Sequence, residues 1–361
     1  MNGVMVRCLH ATVIGLVLIV SGCTGGQPTD EPPPSGPPPS NQAGPLPVDC
    51  AHRITEFEQA SDALAQAQPG ATVCLSGDDF HDAELEMTTS GTPEQPITIV
   101  ADGATMRSLR VEADHVVIQG LTLRDGDGLT MSGRGLVASN NVIYNAAENG
   151  LACLDCVDTI IESNTVQRAD GTGIYLAGRQ ITVRGNTVSE SVLRTQRDAD
   201  GIRFFGIGHR LIGNTIKDIK ARGYGGEGPH TDCFQTYDTD QGAPTYDVVI
   251  AENVCTNVDV QCLIATIDDP RAASGPPGQP TITFVGNTCE VNGSQAVLLR
   301  NFPRVNIRDN RFSGPGDRAV QLSGESTNCT VVGNTVTGRM RPFEIDRQSE
   351  PGFEEAGNSS G

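Results

Sequence analysis

GIRFFGIGHRLIGNTI, residues Gly201 to Ile216, holds two short strands and the corner between them. Gly201-Ile202-Arg203-Phe204 runs small, apolar, variable, apolar. Strand side chains alternate between faces, so Ile202 and Phe204 point one way and Arg203 the other. A second apolar pair follows, then Gly213-Asn214-Thr215-Ile216, which reads as a tight bend into another strand. Moving outward in both directions, the bend signature recurs at Gly120, Asn140, Asn164, Asn186, Asn253, Asn287, Asn310 and Asn334. With Asn214 that makes nine anchors, mostly some 20 to 28 residues apart, with two longer steps of 39 and 34. A period in the low twenties with strand–bend–strand content is the mark of a solenoid. One such unit cannot bury its own apolar face, so the units must stack.

The strand pattern repeats with the anchors. It reads Gly128-Leu129-Thr130-Met131, Gly150-Leu151-Ala152-Cys153, Gly173-Ile174-Tyr175-Leu176, Cys233-Phe234-Gln235-Thr236 and Cys262-Leu263-Ile264-Ala265, among others. No stretch of this region sustains a helical period. The expectation is an all-β chain, a parallel β-helix of about nine coils over residues 110–345. The crossover preference makes it right-handed. The repeated Asn is expected at the bend itself, tolerating the left-handed conformation and bonding to the Asn of the next coil. AQAQPGATVCLSG (Ala65 to Gly77), SGTPEQPITIVADG (Ser90 to Gly103), HVVIQGLTLRDG (His115 to Gly126) and the Gly201–Ile216 stretch resemble the pectate-lyase-like right-handed parallel β-helix superfamily. The nearest flavour is that of chondroitinase B and alginate lyases. The resemblance implies that fold over residues 50–345 and a polysaccharide as partner.

The ends read differently. Residues 1–22 look like a signal peptide: Arg7 supplies the positive region, and Ala11 to Val20 form an apolar core too short to span a membrane. Val20-Ser21-Gly22-Cys23 resembles a bacterial lipoprotein box, which would lipidate Cys23 and place the chain on the membrane in the cell envelope. Residues 23–48, rich in Pro and Gly, read as a semi-extended tether. In the N-terminal cap and first coils, residues 49–109, Arg53 to Gln68 is predicted as a capping helix with Ile54, Phe57 and Leu64 on one face. Residues 346–361 read as a disordered tail.

A secretory route makes disulfides plausible for the cysteines. Cys233 and Cys262 fall in the same slot of neighbouring coils, as do Cys255 and Cys289, so these pairings are predicted across coils. Cys50 can tie to Cys74. Cys153-Leu154-Asp155-Cys156 is a CxxC with no second metal-like pair, and Cys329 has no evident partner.

The formal net charge of −19 excludes nucleic acid as a partner. A monomer is expected. Within Arg179 to Arg222, nine basic residues stand against four acids, so positive charge is locally concentrated on an acidic background. The longest steps between anchors fall on the same coils, and insertions cluster where a solenoid builds function. Between them lies GPHTDCFQTYD, Gly228 to Asp238. The register stacks Tyr175, Arg203 and Gln235 in one outward column. It stacks Asp200, Asp232 and Gln261 in the slot at the strand entry. In polygalacturonases of the resembled superfamily, Asp232 matches the first catalytic acid, while Val260-Gln261 stands where the paired acids would be.

Two chemistries fit these residues. In a lyase on a uronate-containing polysaccharide, Arg203, helped by Arg194 or Arg197, neutralises the carboxylate. His230, oriented by Asp232, takes the proton, and Tyr237 or Tyr175 protonates the leaving oxygen. In a glycoside hydrolase, Asp200 and Asp232 act as a pair, one of them protonated. Gln235, Tyr175, Arg194, Arg197 and Gln261 are the expected substrate contacts. A non-catalytic glycan- or partner-binding surface is the alternative. Asp238, Asp240, Asp268 and Asp269 carry oxygens of the kind Ca²⁺ takes.

Overall fold

The computed structural model describes residues 31–39, 50, 53–77, 80–195, 198–238, 245–273 and 275–361. The expected signal peptide, residues 1–22, and Cys23, Arg197 and Asp240 lie outside these residues. The chain is a right-handed parallel β-helix of about 12 turns. One coil shows the plan: strand Thr172–Arg179 forms the first face, Thr182–Arg184 the second, Thr187–Ser189 the third. The next coil opens with Asp200–Ile207, paired in parallel on Thr172–Arg179. The second faces join into one 13-stranded sheet. The stack continues beyond the expected limits at both ends.

The interior follows from the alternation. Leu129, Leu151, Ile174, Ile202, Phe234, Leu263, Val297 and Val320 lie in one column, each in register with the next and each fully buried. Burial of such a side chain stabilises by about 1.5–3 kcal/mol, and the stack repeats it on every coil.

The corner between the second and third faces is a ladder of buried amides. The Asn186 side-chain oxygen accepts the Asn164 backbone N–H and side-chain NH₂, both at 2.9 Å, and Asn214 does the same for Asn186 at 3.0 Å. Each side-chain NH₂ also donates to a strand carbonyl, as Asn214 does to Val183 at 2.9 Å. Two expectations are corrected here. The residue before the Asn, not the Asn, takes the left-handed conformation, as at Ser163, Gly185 and Gly213. In the second anchor that residue is Asn140 (φ 54°), and Asn141 is the ladder member.

Residues 346–361 are ordered, which corrects the tail expectation. Glu354–Ala356 and Ser359–Ser360 add a further turn on Thr330–Val332 and Thr335–Val336. Asn358 extends the amide ladder by accepting from Asn334 at 3.0 Å. The signature Gly357-Asn358-Ser359 is there in the sequence, with Ser where the other bends have Thr or similar.

The capping helix is shorter than predicted, Phe57–Ala65, and packs against the strands Thr72–Ser76 and Glu84–Met87. Ile54 belongs to a strand paired with Leu75, and Phe57 faces outward; Ala60 and Leu64 make the buried face.

Cys50 bonds to Cys74. The cross-coil pairings are corrected: the disulfides are Cys233–Cys255 and Cys262–Cys289, with Cα separations of 6.2 and 5.9 Å. Cys255 and Cys289 do stand in register on adjacent coils. In-register neighbours, however, project side by side into the interior, whereas cysteines on the first and third faces of one coil converge there. Cys153 and Cys156 bond to each other around a bulge that turns Leu154 outward. Cys329 is free and buried, and burial pushes its thiol up to about 11.

Residues 31–39, within the segment expected to be a tether, lie along the coils. Glu31 pairs with Arg168 at 2.5 Å and Arg194 at 2.7 Å. The Ser35 N–H and hydroxyl both donate to Glu190, the N–H at 3.0 Å, and Arg124 donates to the Pro39 carbonyl at 2.5 Å.

Candidate functional site

The bend that leads from the third face into the first carries a second ladder. The Asn149 side-chain oxygen accepts the Thr172 N–H (3.2 Å), Asp200 Oδ1 the Asp232 N–H (3.0 Å), and Asp232 Oδ1 the Gln261 N–H (3.2 Å). An amide suffices for that bond, as Asn149 shows. The two central coils use carboxylates, which leaves each a second oxygen. Asp200 Oδ2 receives the Arg203 guanidinium, which also binds Asp198 at 3.1 Å. Asp232 Oδ2 lies 2.7 Å from His230 Nδ1 and accepts Gln235 Nε2 at 3.4 Å. Both carboxyls are 0% exposed, beneath an Arg203 side chain 13% exposed and a His230 side chain 40% exposed.

The insertions position these groups. Residues 190–199 and 218–231 bring the chain back to the first face. There His230 and Asp198 pair as neighbouring backbone bridges, and the Ala199 N–H bonds the His230 carbonyl at 3.0 Å. The outward column is as the register requires: Tyr175, Arg203, Gln235 and Ile264 follow one another across four coils. Beside it runs an aromatic edge, Tyr175 to Phe205 at 5.6 Å and Phe205 to Tyr237 at 5.0 Å between ring centroids. Arg203 lies over the Tyr237 ring at 5.6 Å.

Burial raises both carboxyls, and at Asp200, where the charge of Asp232 one coil away adds to it, to about 8. The His230 hydrogen bond pulls Asp232 back. The same bond lifts His230 to about 9. Asp200 is thus the carboxyl held toward its protonated form, and Asp232 the one paired with His230. That rise works against the role of base expected of His230. Burial also raises the Tyr175 hydroxyl.

The structure gathers Asp200, Asp232, His230, Arg203, Gln235, Gln261, Tyr175 and Tyr237 on adjoining coils. It does not bring Arg194 there. Arg194 turns away to Glu31, Asn145 and the Ala146 carbonyl. The Gln261 backbone N–H joins the ladder, and its side chain is buried beside it. Asp198 and Phe205 were missed. Asp198 had a signal, an acid two residues before Asp200 within the basic run.

Five residues of that basic run are paired with acids from other segments: Arg184 with Glu162, Arg194 with Glu31, Arg210 with Asp247, and Lys220 and Arg222 with Asp259. Of the four residues expected to offer oxygens to Ca²⁺, Asp240 lies outside the described residues. Asp269 is taken by Arg271, Asp238 accepts the Asp268 N–H, and no group of three or more His, Cys, Asp or Glu among the described residues is placed to hold a metal ion. Several buried polar atoms at the site lack partners, among them Gln235 Oε1, Gln261 Oε1 and Arg203 Nε.

Residues 107–231 match the family model described as right handed beta helix region. No curated protein matches the chain. Among solved structures, the catalytic unit of a thermostable α-1,3-glucanase from Streptomyces thermodiastaticus is similar at 14% identity and TM-score 0.53, over 88% of this chain and 69% of that one. A tailspike protein mutant of E. coli bacteriophage HK620, in complex with a pentasaccharide, is similar at 11% identity and TM-score 0.50, over 84% of this chain and 61% of that one. An alginate lyase from a Paenibacillus species is similar at 18% identity and TM-score 0.42, over 85% and 94%. At these identities the likeness is one of fold.

Proposed function

We propose that the protein cleaves glycosidic bonds of a polysaccharide lying along the first face, by hydrolysis at Asp200 and Asp232. One observation carries this reading. Two buried carboxyls stand one coil apart, about 4.8 Å along the stack, in different surroundings: Asp200 is held toward its protonated form, and Asp232 is paired with His230 at 2.7 Å. A glycosidase needs that division, an acid for the leaving oxygen and a carboxylate for the sugar carbon or the attacking water. So close a spacing suits the retaining geometry, in which the pair stands about 5–5.5 Å apart. Asp200 is the acid and Asp232 the carboxylate. Substrate reaches them by displacing the Arg203 and His230 side chains that cover their outward oxygens. The solved structures of similar fold include a glucanase and a tailspike protein in complex with a pentasaccharide, which supports a glycan as the ligand.

A uronate lyase fits less well, because the rise at His230 works against a base there. The complete burial of both carboxyls favours a second reading, a non-catalytic glycan-binding surface. The test is to incubate the full chain with neutral and acidic polysaccharides. New reducing ends without ultraviolet-absorbing unsaturated ends support hydrolysis. Unsaturated ends support the lyase, and neither product supports binding alone. We further propose a monomeric envelope lipoprotein anchored through Cys23. A Cys23→Ser variant that stays in the membrane fraction would refute the anchor.

A further inference from the structure

We propose that the glycan bound at this site is a neutral one, recognised through its hydroxyl or amide N–H donors rather than through a carboxylate. The inference rests on the reading that the first face takes a polysaccharide.

A uronate requires an unmatched cation. The site holds two cations, and both are spent: Arg203 on Asp198, with a hydrogen bond to Asp200 besides, and His230 on Asp232. The groups left without partners are chiefly acceptors. Gln235 is 6% exposed, and its orientation is set by chemistry: Nε2 donates to the Asp232 carboxylate, so Oε1 is the free end and lacks a partner. One coil on, Gln261 Oε1 also lacks one. Buried acceptors without donors are costly, and a ligand that supplies donors relieves that cost. A hydroxyl or an acetamido N–H does so. A carboxylate brings only acceptors, and would face Gln235 Oε1, Gln261 Oε1 and three aspartates. Arg203 Nε, a donor without a partner, matches the oxygen of a sugar hydroxyl. Tyr175 and Tyr237, packed on either side of the buried Phe205, give the C–H face of a neutral ring an apolar surface.

The test measures binding, so that turnover does not decide it. Asp200→Asn full chain is titrated calorimetrically with hexasaccharides of α-1,3-glucan, β-1,4-glucan and N-acetylglucosamine, and with those of mannuronate and galacturonate. Wild type titrated in short runs in the cold replaces it should the variant not fold. A neutral series is expected to bind at least tenfold more tightly than either uronate. Its Kd should change less than about twofold from about 0.01 to about 0.15 M salt, over which the screening length falls from about 30 to about 8 Å. Gln235→Ala should weaken that binding about tenfold. Gln261→Leu, which leaves the backbone ladder intact, should weaken it several-fold. Tighter uronate binding that fades with salt overturns the inference, as does failure of every neutral series to bind, or indifference to both glutamine variants. Neutral oligosaccharides that bind to wild type but are never cleaved leave the inference standing and remove hydrolysis.

Discussion

The bend at Asn164, Asn186 and Asn214 and the bend at Asp200 and Asp232 meet the same need with different groups. Each must pair backbone N–H groups that turn inward at a corner. At the first, amides do it and consume themselves: the side-chain oxygen accepts two bonds and the NH₂ donates to a carbonyl and to the next amide. At the second, one carboxylate oxygen does the structural work and the other is held by Arg203 or His230. Burial of carboxyls where an amide would serve is expensive. The difference marks where stability has been given up, and such sites are functional candidates.

The sharpest way to break the comparison is to exchange the groups. Asp232→Asn keeps an oxygen for the Gln261 N–H, so the fold should survive with a melting temperature within a few degrees of wild type. Hydrolytic turnover should fall by about 10²–10⁴, the share of a general acid or base. The opposite exchange, Asn214→Asp, buries a charge and removes the donor to Val183 and Asn253. It should cost about 3–5 kcal/mol in denaturant unfolding, with any loss of turnover following the loss of fold. If Asp232→Asn unfolds and Asn214→Asp does not, the two bends have been assigned the wrong way round.

The disulfides bear on the same coils. Cys262–Cys289 closes 27 residues, for which the chain-entropy model gives about 3.5 kcal/mol. Cys262→Ser with Cys289→Ser should lose about that much. In the single variant Cys262→Ser, a Cys255–Cys289 cross-link with Cys233 released as the free thiol would show that the pairs exchange, as the in-register stacking of Cys255 on Cys289 invites.

The solenoid could be read from the sequence because its two periods, strand alternation and the bend asparagine, repeat many times. The cluster at Asp200, Asp232, Arg203 and Gln235 could be read for the same reason, since register alone stacks them. What could not be read were features that depend on side-chain direction or on distant segments. Cys233 and Cys262 share a slot, but whether their bonds form along the stack or across the coil is a matter of projection. The charge of the Arg179–Arg222 run was legible. Its pairing with acids was not, because Glu31, Glu162, Asp247 and Asp259 come from other coils and from the N-terminal segment.

The two bends should also differ in their response to pH. The amide ladder does not titrate. Asp200 has its folded value raised from 3.8 to about 8, so the native state binds its proton more tightly than the unfolded chain does. Its contribution to stability is fully present below 3.8 and is lost as pH rises through about 8. His230, raised from 6.5 to about 9, contributes below 6.5 and is lost through about 9. The site therefore lowers stability as pH rises from about 4 to 9. Asp200→Asn should flatten the profile between about 4 and 8 when urea unfolding is measured at intervals. A variant profile parallel to wild type would mean that Asp200 is ionised throughout.

The smallest expected effect concerns the segment at residues 31–39, which crosses the third-face edge of the coils that carry the acids. Burial alone would raise Glu31, but Arg194 and Arg168 outweigh it and hold the carboxyl below its usual value. Its contribution is present above 4.5 and lost as pH falls through the lower folded value. A partly exposed pair of this kind is worth roughly 0–1 kcal/mol, so Glu31→Ala should scarcely move the melting temperature. It should act locally instead. The Ser35 amide, bonded to Glu190 at 3.0 Å, should lose hydrogen-exchange protection when Glu31 no longer anchors the segment. Amides of the strand Asp200–Ile207 should keep theirs, because parallel pairing on both sides holds them whether or not the segment is docked. If the strand amides exchange faster as well, the segment is part of what holds the acid-bearing coils together. The contrast between a self-sufficient amide corner and a costly acid bend would then extend to how each is braced.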